Sequence, residues 1–413
     1  MKKFIEALKN CWKVEDLRQR LLITILFVAI YRFGSFVVLP GINPSQLDTL
    51  QKQTSGGLMS LLDMFSGGAF SNASIFALGI MPYISASIVM QLLAVAVPYF
   101  QKMQREGESG RKKINWYTRA LTVVILLFQA PSYLINLKMQ AEGALASGIS
   151  WSVFMIPATI ILAAGSMFVL WLGERITDKG VGNGISIVLL FNIISSLPSD
   201  LSELYKVFMQ GKSVAIKVVA GLVIAACILV MVVFVIILQD AERRIPVQYS
   251  AKTQGRRLVG GQSSFIPLKV NTANVIPVIF ASSLMSFPVV ISQFVPSLQV
   301  GIPGKIIKLL NSGSWFDATS PAYTLGALIY IVLIVLFAYF YTSITFNPLE
   351  IANNMKKQGG MIPFVRPGKP TTEYLTKILN YVIFIGAAGL VIVCIIPLII
   401  SGVFKVSRLS FTG

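Results

Sequence analysis

VAIKVVAGLVIAACILVMVVFVIIL, Val214 to Leu238, runs for 25 residues with one charged side chain, Lys217, near its start. At about 1.5 Å of rise per residue, a helix of this length exceeds the roughly 30 Å hydrocarbon core of a bilayer. No water is present there to satisfy backbone polar groups, so a spanning segment must bond internally as a helix or pair in a closed barrel. The run is continuously apolar over far more than the length of a strand, so it reads as a membrane-spanning helix.

Eight further apolar runs flank it: Leu21 to Pro40, Ile75 to Tyr99, Trp116 to Leu137, Trp151 to Leu172, Gly184 to Leu197, Val275 to Phe294, Tyr323 to Tyr341 and Leu379 to Ile400. The expectation is an all-α membrane protein with nine spans. The composition agrees, because 55% of the 413 residues are hydrophobic and only 13% charged, against about 25% charged in soluble domains. Mean hydropathy is +0.73. The fifth run is short and carries Ser186, Asn192 and Ser195, with Asn183 just before it. Such a helix suits the inside of a bundle better than a lipid-facing position. No cleavable signal peptide is expected, since the first run is long enough to span and lacks a small-residue cleavage site after it.

Net charge is +18, and the placement of the basic residues explains it. With the N-terminus cytoplasmic, 25 of the 35 Lys and Arg fall on the cytoplasmic side, as membrane topology demands. Two cytoplasmic segments, about 240–272 and 343–375, carry the largest basic loops; each has about 30 residues, below the usual size of a domain.

The chain has no histidine, which removes His-based acid–base catalysis, HExxH zinc sites and Ser/His dyads. Cys11, Cys227 and Cys394 lie too far apart in sequence for a metal or redox motif. Gly211-Lys212-Ser213 is only a fragment of a phosphate loop, with Lys206 where the leading glycine belongs. Charges within spans are few, Arg32 being the clearest, and snorkelling of its head group is the plain reading beside a functional one. A secondary transporter would need buried acidic or ion-coordinating groups, and an intramembrane protease a nucleophile with its base or paired aspartates. Neither constellation is present. No catalytic, metal or cofactor-binding residues are expected.

Between the first two spans, GGLMSLLDMFSGGAF, Gly56 to Phe70, places Leu, Met and Phe at helical spacing between two glycine pairs. It is too short to span. An interfacial helix and a re-entrant segment packed inside the protein both fit.

Several strings carry a family resemblance along most of the chain: RFGSFVVLPGI (Arg32 to Ile42), DMFSGGAFSNASIFALGIMPYISASIVMQLL (Asp63 to Leu93), EGESGRKKINWYTR (Glu106 to Arg119), WLGERITDKGVGNGISI (Trp171 to Ile187), QGRRLVGGQSSFIPLKVNTANVIPVIFASS (Gln254 to Ser283) and FNPLEIANNMKKQGGMIPFVRPGKPT (Phe346 to Thr371). The sequence resembles the bacterial SecY family of protein-translocation channels. The resemblance implies two inverted, pseudo-symmetric halves, here 1–200 with spans one to five and 201–413 with spans six to nine. The family has ten spans and nine are visible, so the tenth is missing; the expectation is a truncated or incompletely represented chain, ahead of a helix supplied otherwise.

The resemblance further implies a gated pore for unfolded polypeptides with lateral release of hydrophobic segments into lipid. Its pore ring would include Ile80, Ile84, Leu189 and Ile279. The 56–70 segment would be a plug, with Leu61, Leu62, Met64 and Phe65 as its apolar residues. Gln91, Asn271, Ser283 and Phe287 would line the lateral gate, and Arg256, Arg257 and Arg366 would contact a motor or ribosome. Implied partners are small SecE- and SecG-like membrane subunits, the SecA motor ATPase, the ribosome, signal peptides, nascent chains and the lipid bilayer. Its place would be the bacterial cytoplasmic membrane, with the N-terminus cytoplasmic.

Overall fold

The computed structural model describes residues 12–44, 63, 65–140, 145, 150–211, 213–249, 252–254, 257–259, 263–294, 301–311, 315 and 321–404. Each of the nine apolar runs contains a helix: α1 (Glu15–Gly34), α2 (Met81–Ala96) continued after a break by α3 (Pro98–Arg105), α4 (Glu108–Gln140), α5 (Trp151–Lys179), α6 (Gly184–Phe208), α7 (Val214–Asp240), α8 (Ile276–Phe294), α10 (Thr324–Thr345) and α12 (Lys369–Phe404). Between them lie α9 (Gly301–Leu310) and α11 (Pro348–Lys357). Five helices are individually long and apolar enough to cross a membrane, and six if the bent pair counts as one span. In α1, Arg18, Arg20 and Arg32 bracket the apolar stretch, whereas α6 and α8 are apolar only over shorter segments, Gly184–Pro198 and Ile276–Met285.

The second run departs from a continuous span. Residues 75–80 form turns rather than helix. The helix that follows bends by 100° between Met81–Ala94 and Pro98–Gln104. Pro98 lacks the N–H that would continue the ladder and holds Val97 extended, at φ −110° and ψ 119°.

The helices group into two compact units: Met1–Tyr205 with Val289–Ile307, and Lys206–Pro288 with Lys308–Gly413. In the first, Leu126, Leu134, Leu162 and Leu172 are fully buried. Thr24 Oγ1 at 3.1 Å accepts the N–H of Val181, tying α1 to the turn between α5 and α6. In the second, Val278, Met285, Tyr330, Ile334 and Leu390 form one apolar core. Outward-facing residues of α7 such as Leu222, 67% exposed, and Leu229, 64% exposed, are aliphatic. A contiguous apolar face of this kind is what acyl chains cover.

The basic segments are not plain loops. Antiparallel strands β1 (Glu242–Tyr249) and β4 (Ser263–Lys269) pair throughout, and β5 (Gly360–Met361), from the other segment, adds to the free side of β1. A separate hairpin joins β2 (Lys252–Gln254) to β3 (Arg257–Val259). Ile245 and Val247 alternate with exposed residues and are buried against Leu268, Ala352, Met355, Ile362 and Leu375. Both basic segments therefore share one small hydrophobic core.

Candidate functional site: a polar cradle on a re-entrant segment

The chain re-enters the first unit after α1. Leu39 N–H donates to Ala73 O at 2.9 Å and Ile75 N–H to Val37 O at 3.0 Å, so residues 37–39 and 73–75 pair as a short two-stranded contact. Asp63 anchors the turn that precedes it, accepting the N–H of Ser71 on Oδ1 at 2.9 Å and that of Gly68 on its carbonyl at 2.9 Å. Ala69, Phe70, Ala73, Phe76 and Ala77 are buried. The hydroxyl of Tyr133, from α4, donates to Phe70 O at 2.8 Å. The described part of this segment is thus packed inside the protein and not laid on its surface. Residues 56–62 and 64, with the candidate plug residues Leu61, Leu62 and Met64, lie outside the described residues.

Three side chains hold the start of this segment. Asn192 Nδ2, on α6, donates to Phe65 O at 2.7 Å and to the hydroxyl oxygen of Tyr31 at 2.9 Å. The Tyr31 hydroxyl donates to Ser66 O at 3.2 Å, and Arg32 Nη1 to Gly67 O at 2.8 Å. Arg32 also lies 5.5 Å from the centroid of the Phe36 ring. Its guanidinium is therefore engaged with protein, which outweighs the snorkelling reading. Tyr31 and Asn192 are both completely buried, where an unmade hydrogen bond costs about 1–3 kcal/mol. Gly67 sits at φ +66°, and a Cβ there would come within 2.5 Å of Arg32 Nη1 and 2.7 Å of Asn192 Oδ1. Only glycine lets the backbone come this close to the cradle.

Just beyond, Ile80 is 2% exposed in an apolar cluster with Val28, Tyr31, Phe76, Leu172 and Val188. Ile84 and Leu189, both half-buried, pack against the same cluster. Three of the four candidate ring residues thus meet within the first unit. Ile279, half-buried on α8, belongs to the second. Of the lateral-gate candidates, Gln91 is exposed on α2 and donates through Nε2 to Ser87 Oγ at 3.2 Å. Asn271 is 3% exposed, and its Nδ2 has no partner among the described residues. Ser283 is half-buried on α8, while Phe287 contributes backbone to that helix and its side chain lies outside the described residues.

Arg366 is exposed, and its carbonyl accepts the hydroxyl of Thr371 at 2.8 Å. Arg257 opens β3, its side chain outside the described residues, as is the whole of Arg256. Phe364, two residues before Arg366, was not singled out by the sequence; it projects fully into solvent at φ +65°. Tyr31 was missed as well, since a tyrosine in an apolar span carries no signal of its own. Among the described residues no three His, Cys, Asp or Glu side chains cluster as metal ligands.

The SecY family profile matches residues 74–413. The chain is 39% identical to the protein translocase subunit SecY of Thermotoga maritima over 407 residues, covering 97% of this chain and 89% of that one. It is 43% identical to the protein of the same name from Halalkalibacterium halodurans over 394 residues, 95% and 88% of the two chains. Among solved structures, one described as a protein-conducting channel superposes with a TM-score of 0.60 at 18% identity, over 96% of this chain and 89% of that one. The yeast Ssh1 complex bound to the 80S ribosome gives 0.60 at 15% identity, over 95% and 88%. A further match, at 0.57 and 19% identity over 95% and 90%, comes from work on the plug domain of the SecY protein, described as stabilising the closed state of the translocation channel. At these identities the structural matches speak for the fold.

Proposed function

The chain belongs to the SecY family, and from that premise we propose that it is the protein-conducting subunit of a translocon, passing unfolded polypeptides across the membrane and releasing hydrophobic segments sideways into lipid. The observation that carries the reading is the near-complete match to translocase subunits at about 40% identity. The re-entrant segment supports it independently: a short segment held by side-chain bonds to main-chain carbonyls beside an aliphatic cluster suits a movable closure. Ile80, Ile84 and Leu189, with Ile279 from the second unit, are the ring this proposal assigns, where bulky aliphatics limit ion passage by excluding water.

In this reading the protein is a passive conduit and catalyses no reaction. A SecA-type motor or a translating ribosome supplies the energy. Signal peptides enter at a gate that includes Gln91, Asn271, Ser283 and Phe287, and the basic segments carrying Arg256, Arg257 and Arg366 are the docking surface. SecE- and SecG-like subunits accompany the chain, whose two inverted halves meet near residue 200. The protein is a multi-pass membrane protein; we place it in the bacterial cytoplasmic membrane with a cytoplasmic N-terminus, on the distribution of Lys and Arg.

Photoreactive groups at Ile84 and Ile279, with a stalled secretory chain presented from the cytoplasmic side, test the proposal. Adducts at both positions, lost when the signal sequence is defective, are expected. A protein that inserts and binds its motor yet crosslinks at neither position is not a polypeptide channel along this route.

A further inference from the structure

The carbonyls of three successive residues, Phe65, Ser66 and Gly67, are met by three different donors: Asn192 Nδ2 at 2.7 Å, the Tyr31 hydroxyl at 3.2 Å and Arg32 Nη1 at 2.8 Å. All three bonds go to main-chain carbonyls, so the donors address backbone. The exclusion of a Cβ at Gly67 belongs to the turn at φ +66°, whereas an extended chain sends successive side chains to opposite faces, away from its bonding edge. Asn192 holds a further group in reserve. Its Oδ1 is buried, has no partner among the described residues, and points at the occupant, 2.7 Å from where a Cβ on Gly67 would stand.

A carboxamide that donates through Nδ2 and accepts through Oδ1 matches a ligand offering a carbonyl and an N–H side by side. In an extended chain the N–H and C=O of one residue face the same way, as the paired bonds of an antiparallel ladder show. The turn at 65–67 presents carbonyls to the cradle and leaves Oδ1 unanswered. Asn192 also stands one helical turn from Leu189, on the same face of α6, and Leu189, like Ile84, packs against the cluster that holds Ile80. A chain passing that aliphatic cluster therefore passes the cradle.

We propose that Tyr31, Arg32 and Asn192 form a backbone-binding site for the translocating polypeptide, with the Phe65–Gly67 segment its resident competitor. The inference rests on the polypeptide-channel reading. Its ligand class is an extended, unfolded chain of any sequence. Displacement of the segment by substrate is then an exchange of hydrogen-bonding partners, in which the incoming chain satisfies the acceptor that the resident turn does not.

The test uses the full chain with its partner subunits in membrane vesicles and a photoreactive group at Ser195, one turn beyond Asn192. Two stalled chains are compared, one carrying a glycine–serine stretch and the other an apolar stretch at the depth of the cradle, with crosslinking at Ile84 followed in parallel. Both chains are expected to form Ser195 adducts equally. In the Tyr31→Phe/Asn192→Leu variant these fall by about fivefold or more, the scale of one or two lost hydrogen bonds, while Ile84 adducts persist.

Ser195 adducts that the variant leaves unchanged, or that form with only one of the two chains, overturn the proposal. Absence of Ile84 adducts in the parent defeats the channel reading itself. Should the double variant fail to insert, Tyr31→Phe alone keeps the ring stacked on Phe76 and removes only the hydroxyl. Undiminished Ser195 adducts in that variant would overturn the proposal equally.

Discussion

Arg32 Nη1 stands 2.8 Å from the carbonyl oxygen of Gly67, 35 residues along the chain. A charged donor near the end of α1 thereby fixes the backbone of the re-entrant segment, and the fit has no slack. Gly67→Ala would set a methyl group 2.5 Å from Nη1 at φ +66°, where an L-residue costs about 1–2 kcal/mol before any clash. The segment should shift out of the cradle, raising the resting ion leak of reconstituted vesicles by about tenfold, the equivalent of 1.4 kcal/mol. A leak equal to that of the parent would show that Gly67 does not set the closed state.

Arg32 and Gly67 act on the same contact, so their substitutions should not add. Arg32→Leu removes a charge-assisted hydrogen bond worth about 1.5–3 kcal/mol, and Arg32→Lys, which keeps the charge but loses the guanidinium fork, should fall between Leu and the parent. The double variant Arg32→Leu/Gly67→Ala should loosen the segment little more than either single change, as expected for residues in direct contact. Maleimide labelling of a cysteine introduced at Ser66 reads this directly. Fully additive labelling rates would mean that the two residues act independently.

The spans were legible because hydrocarbon forces apolar side chains into long continuous runs, as at Val214 to Leu238, and each run contains a helix. The break before Pro98 carried its own signal, yet composition over Ile75 to Tyr99 masked it, since turns and helix are equally apolar there. The sheet in the basic segments was visible in principle: Ile245, Val247 and Tyr249 recur at every second position, the period of a half-buried strand, although Pro246 between the first two blurs the polar side of the pattern. It was hidden because β1 has only eight residues and β5, two residues long, begins at Gly360, 111 positions after β1 ends at Tyr249. The cradle was half legible. Asn192 stood out as a polar side chain in an apolar run, and Arg32 as a charge in a span. Their common target is a row of carbonyls, which no side-chain pattern can announce.

Arg119 and Glu174 clasp α4 to α5, with Nη2 at 2.6 Å and Nε at 2.9 Å from the same carboxylate oxygen. Both side chains are substantially exposed, so solvent screens the pair and its contribution stays below about 1 kcal/mol. Glu174→Gln should lower the unfolding temperature in detergent only slightly, with the difference shrinking as salt is raised. Exchanging the two residues, Arg119→Glu with Glu174→Arg, should recover most of it. A large, salt-independent loss would show that Glu174 does more than pair with Arg119.

Gly360 lies where the two basic segments meet: a Cβ there would stand 2.8 Å from the Tyr249 ring and 2.9 Å from Met355 Cγ. Gly360→Val should therefore break the pairing of β5 with β1 and free the segment leading to Arg366, while leaving the spans intact. Ribosome co-sedimentation should weaken, and limited proteolysis within 343–375 should accelerate. Arg366→Ala separates charge from position. The sheet stays formed and proteolysis is unchanged, while the docking role proposed for Arg366 predicts that binding loses part of its salt dependence, the signature of one removed phosphate contact. If Gly360→Val accelerates proteolysis yet binds ribosomes as the parent does, the sheet does not position the docking surface, and the contact must be sought elsewhere on the chain.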